Sequence, residues 1–199
     1  MGSNNLAHNE VLRTARLSLR RPTSADIDAI YRIHSDPRAC AHNPGDALST
    51  REEAESLYRR WNEHWQQHGF GYWTIHGRAS LPTDQRLGFC GVKLMQLHGR
   101  TTLNLFYRLD PLVWGKGIAT EAATAVVEWA SANQPNQPLV ARVRPGNAAS
   151  LKVAARTGLR RTPQLDTDGY DGFDWIFTSN WPDDTESADD TEPAQNPRP

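Results

Sequence analysis

The sequence predicts an α/β (α+β) protein built on one mixed, mostly antiparallel twisted sheet of six to seven strands with about four flanking helices. Three observations support this. Apolar residues alternate with period two in several short segments and recur at helical spacing in others. The segments follow the order β-α-α, then three strands in succession, then α-β-α-β. The link His98-Gly99-Arg100 between two successive strands is short enough to imply an antiparallel hairpin. This order is not the strict alternation of a doubly wound fold, and it places helices on both faces of the sheet.

The stretch from Leu12 to Arg20 ends in alternation and is expected as the first strand. A helix opens near Thr23, with Asp26 three residues on, and carries Ile27, Ile30, Tyr31 and His34. A second opens at Thr50, with Glu53 completing a capping box. Its residues Ala54, Leu57, Tyr58, Trp61 and Trp65 share one face, so Trp61 and Trp65 are expected in the core. Strands follow at Gly71 to His76, Arg86 to Leu97 and Thr101 to Leu109. A long helix runs from about Lys116 to Ala132, and a strand from Leu139 to Val143. A helix from near Asn147 ends at Gly158, a residue suited to a left-handed cap, and a last strand covers Gly172 to Phe177.

With 199 residues, the chain is long enough for one domain with a substantial core. The expected organisation is a flexible N-terminus (1–10), one folded domain (11–181) and a disordered acidic tail (182–199). In the tail Asp183, Asp184, Glu186, Asp189, Asp190 and Glu192 alternate with small residues and prolines. A net charge of −1 offers no general attraction to nucleic acid or an anionic membrane. No run approaches the ~20 apolar residues of a membrane span, and the polar start lacks a secretory core. Cys40 and Cys90 form no CxxC, and the seven histidines no HxH or HExxH, so no metal site is expected. Cys90 lies in an apolar run, as a buried free thiol does. A reducing cytoplasm is the expected location, and the chain is expected as a monomer or homodimer without nucleic-acid or membrane partners.

The most informative stretch is Leu103-Asn-Leu-Phe-Tyr-Arg-Leu-Asp-Pro-Leu-Val-Trp-Gly-Lys-Gly-Ile-Ala-Thr-Glu-Ala122. A strand ends near Asp110-Pro111, a glycine-rich turn follows, and a helix begins. Gly115 and Gly117 let a ligand approach the main chain, and the free N–H groups of the helix's first turn point into that turn. Together these features suit a phosphate or pyrophosphate. Lys116 adds a charge and Thr120 a hydroxyl. The turn is neither GxxxxGK[ST] nor GxGxxG, and by itself it also fits a tight turn with glycines for packing.

A second element, Arg144-Pro-Gly-Asn147-Ala-Ala-Ser150-Leu-Lys-Val-Ala-Ala-Arg-Thr-Gly158, lies downstream. Together the two segments resemble the acetyl-CoA-binding signatures of the GNAT superfamily, in particular its ribosomal-protein N-terminal acetyltransferase (RimJ/RimL-like) type. The resemblance extends to Thr14-Ala-Arg16-Leu17-Ser-Leu19-Arg20, Ser35-Asp36-Pro37, Gly69-Phe-Gly71-Tyr72-Trp73 and Leu87-Gly88-Phe89-Cys90-Gly91. It implies a sheet splayed between its fourth and fifth strands, with the pantetheine arm of acetyl-CoA in the gap. Leu109 would hold the pantetheine. Trp114, Gly115, Lys116, Gly117, Ile118, Ala119 and Thr120 would cradle the pyrophosphate. Asn147 would bond the cofactor, and Ser150, near the sulfur, would protonate the leaving thiolate. From the residues alone, Asn147 reads as an ordinary N-cap and Ser150 as an ordinary first-turn residue. The sequence departs from the family pattern at Leu112, where arginine or glutamine is widely shared, at Asn104, where many relatives carry glutamate, and at Leu159, where phenylalanine is usual.

The implied reaction is direct attack of a neutral amine on the thioester, which needs a base, an oxyanion donor and an acid. A backbone N–H near Leu109 is the expected donor. Because Asn104 is no base, an α-amine is the better-suited acceptor, on a protein N-terminus or an aminoacyl compound. His42, Asn43, Phe70, Tyr72 and Trp73 are candidates for the acceptor side, and His76, Asp171 and Asp174 for proton acceptance. Two alternatives remain open: a small-molecule or antibiotic N-acetyltransferase, and a non-catalytic acyl-CoA-binding sensor.

Overall fold

The chain enters the sheet as a hairpin, β1 (Val11–Arg13) and β2 (Leu17–Arg20), so the expected first strand is two strands. Thr14 makes the break: its N–H bonds Leu17 O at 3.0 Å, and its hydroxyl accepts the Leu17 N–H at 2.9 Å. The computed structural model describes residues 11–78, 81 and 85–182; the expected flexible start and nearly all of the acidic tail lie outside them.

After a 3-10 turn capped by Thr23 come α1 (Ile27–His34), a short α2 (Pro37–Cys40) and α3 (Arg51–His68). The capping box predicted for α3 is present, with the Glu53 N–H donating to Thr50 Oγ1 at 3.3 Å. Strands β3 (Tyr72–Gly77), β4 (Arg86–Leu97) and β5 (Arg100–Leu109) form the antiparallel centre. Then follow α4 (Ile118–Asn133), β6 (Leu139–Val143), α5 (Ala148–Arg156), β7 (Arg160–Arg161), β8 (Thr167–Gly169) and β9 (Gly172–Ser179). The short β1, β7 and β8 extend the expected strand list; each has too few residues to show a period. Gly158 has φ +83°, as its expected place after α5 requires.

The strand order is β1-β2-β3-β4-β5-β6-β9-β7, with β8 beside β9. Helices α4 and α5 cover one face over a core that includes Trp73, Val92, Leu105, Val126 and Ala141. Helices α1 and α3 cover the other, over Ile30, Ile33, Trp61 and Phe89. Cys90 is fully buried, and burial pushes its thiol far up in pKa, so it is an inert core residue. No helix of the described residues is long and apolar enough to cross a membrane.

One irregularity positions the site. β5 and β6 run parallel and pair only at Leu103–Leu139, Asn104–Val140 and Leu105–Ala141. Beyond that point β5 continues to Leu109 along β4, whereas β6 follows β9. The sheet splays there, as the resemblance implies for the fourth and fifth principal strands.

Candidate active site

The orientation of the β5 peptides follows from its hairpin. His98 (φ 47°) and Gly99 (φ 75°) close a two-residue turn, so Leu97 and Arg100 form a hydrogen-bonded pair. Every second residue from Arg100 therefore turns its peptide groups to β4, and the odd-numbered residues turn theirs to β6. Leu103 N–H indeed reaches Pro138 O at 2.8 Å, and Asp110 N–H reaches Leu87 O at 2.9 Å. Past the last β6 pairing, Tyr107 and Leu109 thus point their N–H groups into the gap. The Leu109 carbonyl is engaged by the Trp114 indole N–H at 3.2 Å.

The gap opens into a cavity of about 1090 Å³ that crosses the sheet from the α4–α5 side to the α1–α3 side. At one end stands the loop between β5 and α4. Asp110, buried at the end of β5, accepts the Leu112 N–H at 2.9 Å and an ion pair from Arg32, which fixes where the loop starts. Gly115 and Gly117 have φ +75° and +74°, a conformation costly to residues with a Cβ. A Cβ at Gly115 would meet nothing within 4 Å, and one at Gly117 only Arg16 Nη2 at 3.5 Å, so there is open room beside this backbone. Gly117 caps α4, and the first intrahelical bond runs from Glu121 N–H to Gly117 O. The N–H groups of Ile118, Ala119 and Thr120 come before it and face the open side, the geometry a phosphate needs. The residues fit the pyrophosphate of acetyl-CoA.

Of the expected loop residues, Trp114, Gly115, Gly117, Ile118, Ala119 and Thr120 line the cavity. Ile118 does so through its backbone, since its side chain is 1% exposed in the core. Lys116 is not among the lining residues: its Nζ turns back to Leu112 O at 3.3 Å, and its carbonyl accepts from Arg16. Across the gap, Asn147 caps α5 by accepting the Ser150 N–H at Oδ1 (3.0 Å). Tyr107, to which the sequence assigned no site role, donates its hydroxyl to Ser150 O at 3.3 Å and so ties α5 to β5 across the splay. Burial pushes the Tyr107 hydroxyl up to about 12, against a smaller lowering by the Ser150 side chain. Its place on the gap side of a splayed strand was the signal that could have found it.

The acceptor-side expectations divide. His42, Asn43 and Tyr72 line the cavity; Phe70 and Trp73 do not. They pack in the core against Trp129, with ring centroids 5.5 and 5.2 Å away. Successive strand residues point to opposite faces, so Tyr72 and Trp73 cannot both serve one site. Tyr72 instead stacks on Phe106 at 4.7 Å, under α3. His76 is likewise outside: it is buried and accepts Arg20 Nε at 2.8 Å, and burial and Arg20 lower its pKa to about 4. Asp171 and Asp174 line the cavity but are bound by arginine. Asp174 takes Arg142 at 2.9 and 2.6 Å and Arg144 at 2.6 Å; Asp171 pairs with Arg144 and accepts Gly45 N–H at 3.1 Å. Asn104 sits mid-strand with Oδ1 buried and without a hydrogen-bond partner. Among the described residues no cluster of His, Cys, Asp and Glu could hold a metal.

A family model described as the acetyltransferase (GNAT) domain matches residues 16–160. An uncharacterized N-acetyltransferase of Schizosaccharomyces pombe is 28% identical over 174 residues, covering 82% of this chain and 90% of its own. The crystal structure of an acetyltransferase from Agrobacterium tumefaciens aligns with TM-score 0.69 at 26% identity, over 86% of this chain and 94% of that one. Two more distant structures share the fold. RimL, a ribosomal L7/L12 alpha-N-protein acetyltransferase in complex with coenzyme A, aligns with TM-score 0.66 at 18% identity over 85% and 97% of the two chains. A spermidine N-acetyltransferase from Vibrio cholerae in complex with CoA and spermine aligns with TM-score 0.61 at 15% identity over 83% and 94%. A glycine turn before a helix is common to many proteins, but a sheet that splays beside it and a family model running from β2 to β7 are not, and the chain belongs to the GNAT family of acetyltransferases, as an N-acetyltransferase that takes its acetyl group from acetyl-CoA.

Proposed function

We propose that this chain acetylates an α-amine, as a RimJ/RimL-like enzyme does, by direct attack of the neutral amine. One observation carries the reading: the acceptor side offers no free carboxylate. Asp46, Asp171 and Asp174 are the carboxylates lining the cavity among the described residues, and each is paired with an arginine. The mid-strand position holds Asn104, an amide. An α-amine (pKa ~8) needs about 1.4 kcal/mol to be neutral at pH 7, and a lysine side chain (pKa ~10.4) about 4.6 kcal/mol. A site without a strong base suits the former.

Acetyl-CoA supplies the thioester carbonyl. The N–H groups of Tyr107 and Leu109 that face the gap are suited to hold a carbonyl oxygen there. The loop from Trp114 to Thr120 anchors the phosphates, and Asn147 orders the start of α5. Ser150, in the first turn of that helix, is our candidate for donating a proton to the departing sulfur. On the α1–α3 side of β5, Asn104 Oδ1 can accept an N–H of the acceptor. The distant likeness to RimL, whose name specifies an alpha-N-protein acetyltransferase, supports the α-amine reading; the likeness to the spermidine enzyme is the argument for a small amine.

Thiol release with acetyl-CoA and two matched acceptors tests the proposal: a peptide whose one amine is its N-terminus, and an N-terminally blocked lysine peptide. The expected result is at least tenfold higher kcat/KM for the α-amine at pH 7. Equal or faster turnover of the lysine side chain overturns it.

A further inference from the structure

Most cations on the acceptor side of the cavity already have an anion. Arg38 pairs with Asp36 at 2.7 Å, Arg108 with Asp46 at 3.0 Å, Arg142 with Asp174 at 2.6 Å, and Arg144 with Asp171 and Asp174. Two differ. Arg60 on α3 and Lys93 on β4 both line the cavity, and among the described residues neither makes a hydrogen bond or an ion pair. Lys93 is half-buried, with its ammonium 5.7 Å from the centre of the Tyr72 ring. Arg60 precedes Trp61, whose ring meets the same Tyr72 at 5.3 Å, so both cations stand on the α3–β4 wall; burial and the Arg60 charge lower the Lys93 pKa. Lys93 is half-buried and Arg60 is exposed beside it, so an anion placed between them would relieve their repulsion.

The same wall holds the orphaned amide oxygen. Lys93 and Asn104 are direct cross-strand partners, so their side chains leave the same face of the sheet side by side. Asn104 Oδ1 is a buried acceptor lacking a donor, and such an atom costs about 1–3 kcal/mol until it finds one. One surface therefore presents an acceptor for N–H next to two donors for an anion. This wall is not the phosphate cradle of acetyl-CoA: Asn104 lies five residues before Leu109, about 16 Å along the strand.

We propose that the acceptor carries an anionic group, a carboxylate or a phosphate, close to its amine, and that Arg60 and Lys93 hold that anion while Asn104 Oδ1 receives the amine. The idea rests on the acetyl-transfer reading above and narrows the acceptor from a peptide N-terminus to a small amino acid-like compound; Arg60 and Lys93, by neutralising its anion, would offset the rise that the anion causes in the amine pKa. A polyamine such as spermine, with no anion and several cations, is disfavoured by the same two charges.

The test is thiol release by the full chain with acetyl-CoA and matched acceptors: α-amino acids against their carboxamides, and phosphoethanolamine against ethanolamine. Rates are compared per neutral amine, because a neighbouring anion raises the amine pKa. The expected result is at least tenfold higher kcat/KM for the anionic member of one pair. Preference in the first pair assigns the anion as carboxylate, and preference in the second as phosphate. Lys93→Met and Arg60→Gln should each erase most of that preference, mainly through KM, while Lys93→Arg should retain it. Acetyl-CoA binding, read as a rise in melting temperature, should be unchanged in all three variants. Preference for the uncharged members, for spermine, or for no member of either pair overturns the proposal. So does a Lys93→Arg enzyme that loses kcat as Lys93→Met does while keeping the preference, which would make Lys93 a base. Nα-acetyl-lysine and its amide separate the two readings: rapid turnover of both with the acid preferred removes the α-amine and leaves the anion site standing.

Discussion

The Thr14 hydroxyl donates to a carboxylate oxygen of Glu121, a residue 107 positions away in the first turn of α4. Arg16 completes the clasp, with its N–H on Oε1 at 3.0 Å and its guanidinium on Oε2 at 2.7 Å. The same guanidinium bonds Lys116 O, so the β1–β2 turn holds both the glycine loop and the helix it leads into. The Thr14-Ala-Arg16 element of the resemblance therefore acts on the cofactor site by positioning its backbone.

Burial alone would raise the Glu121 pKa, but the bonds from Thr14 and Arg16 outweigh it and hold the carboxyl below its usual value. A depressed carboxylate stabilises the fold above its unfolded pKa of ~4.3, and the contribution is lost as pH falls through the lower folded value. Glu121→Gln should cost about 2 kcal/mol at pH 7, or roughly 4–8 °C in melting temperature. The gap between variant and wild type should narrow below pH 4. A constant gap from pH 7 to 3 would show that the clasp does not depend on charge.

Saturating acetyl-CoA, at about 100 times its Kd, should add ~2.7 kcal/mol of stability and raise the melting temperature by roughly 5–10 °C. Gly117→Glu should abolish the shift, because the side chain brings bulk and a negative charge to the phosphate position. Gly117 has φ +74°, so the substitution also strains the backbone. Gly117→Asn separates the two effects, since asparagine tolerates that conformation and carries no charge; most of its shift should survive. Loss of the shift in both variants would mean that backbone geometry, not access, is what binding needs.

Ser150 has its N–H bound by Asn147 and its carbonyl by Tyr107, and its hydroxyl lies beside the Tyr107 hydroxyl. Ser150→Ala keeps both backbone bonds and should leave the stability within about 0.5 kcal/mol of wild type while lowering kcat more than it raises KM. Asn147→Ala should behave differently, with about 1 kcal/mol of lost stability from the missing cap and a weaker acetyl-CoA shift. An unaltered kcat in Ser150→Ala would remove Ser150 from the chemistry.

His34 is 2% exposed among Trp61, Phe89 and Phe106, and its Nδ1–H donates to Ile30 O at 3.0 Å. Burial, with Arg108 beside it, lowers its pKa to about 3. The unfolded chain then binds a proton that the folded chain refuses between about pH 6.5 and 3. Stability should be level above pH 6.5 and fall on acidification by up to ~1.4 kcal/mol per pH unit from this group. His64 and His76, lowered to about 4 chiefly by burial, add slopes of the same sign. Melting curves of His34→Leu from pH 7.5 to 4.5 should be flatter than wild type by roughly a third of the histidine contribution. An unchanged slope would mean that His34 is charged in the fold.

The sequence by itself determined the local elements and the cofactor loop. Strands β4 and β6 have the bounds that alternation predicts, the Thr50–Glu53 box starts α3, and the glycines at 115 and 117 mark the turn into α4. These features depend on backbone periodicity and on residues that only certain conformations accept, both written in a few neighbouring positions. The tertiary structure decided which face of the sheet each side chain serves and which distant charges meet. It moved Phe70 and Trp73 into the core while leaving Tyr72 at the cavity, and it spent Asp171 and Asp174 on Arg142 and Arg144. It also set Tyr107 against Ser150, and left Arg60 and Lys93 without anions beside Asn104. Those outcomes depend on strand register and on the point where β5 and β6 part, which arise from packing between segments tens of residues apart.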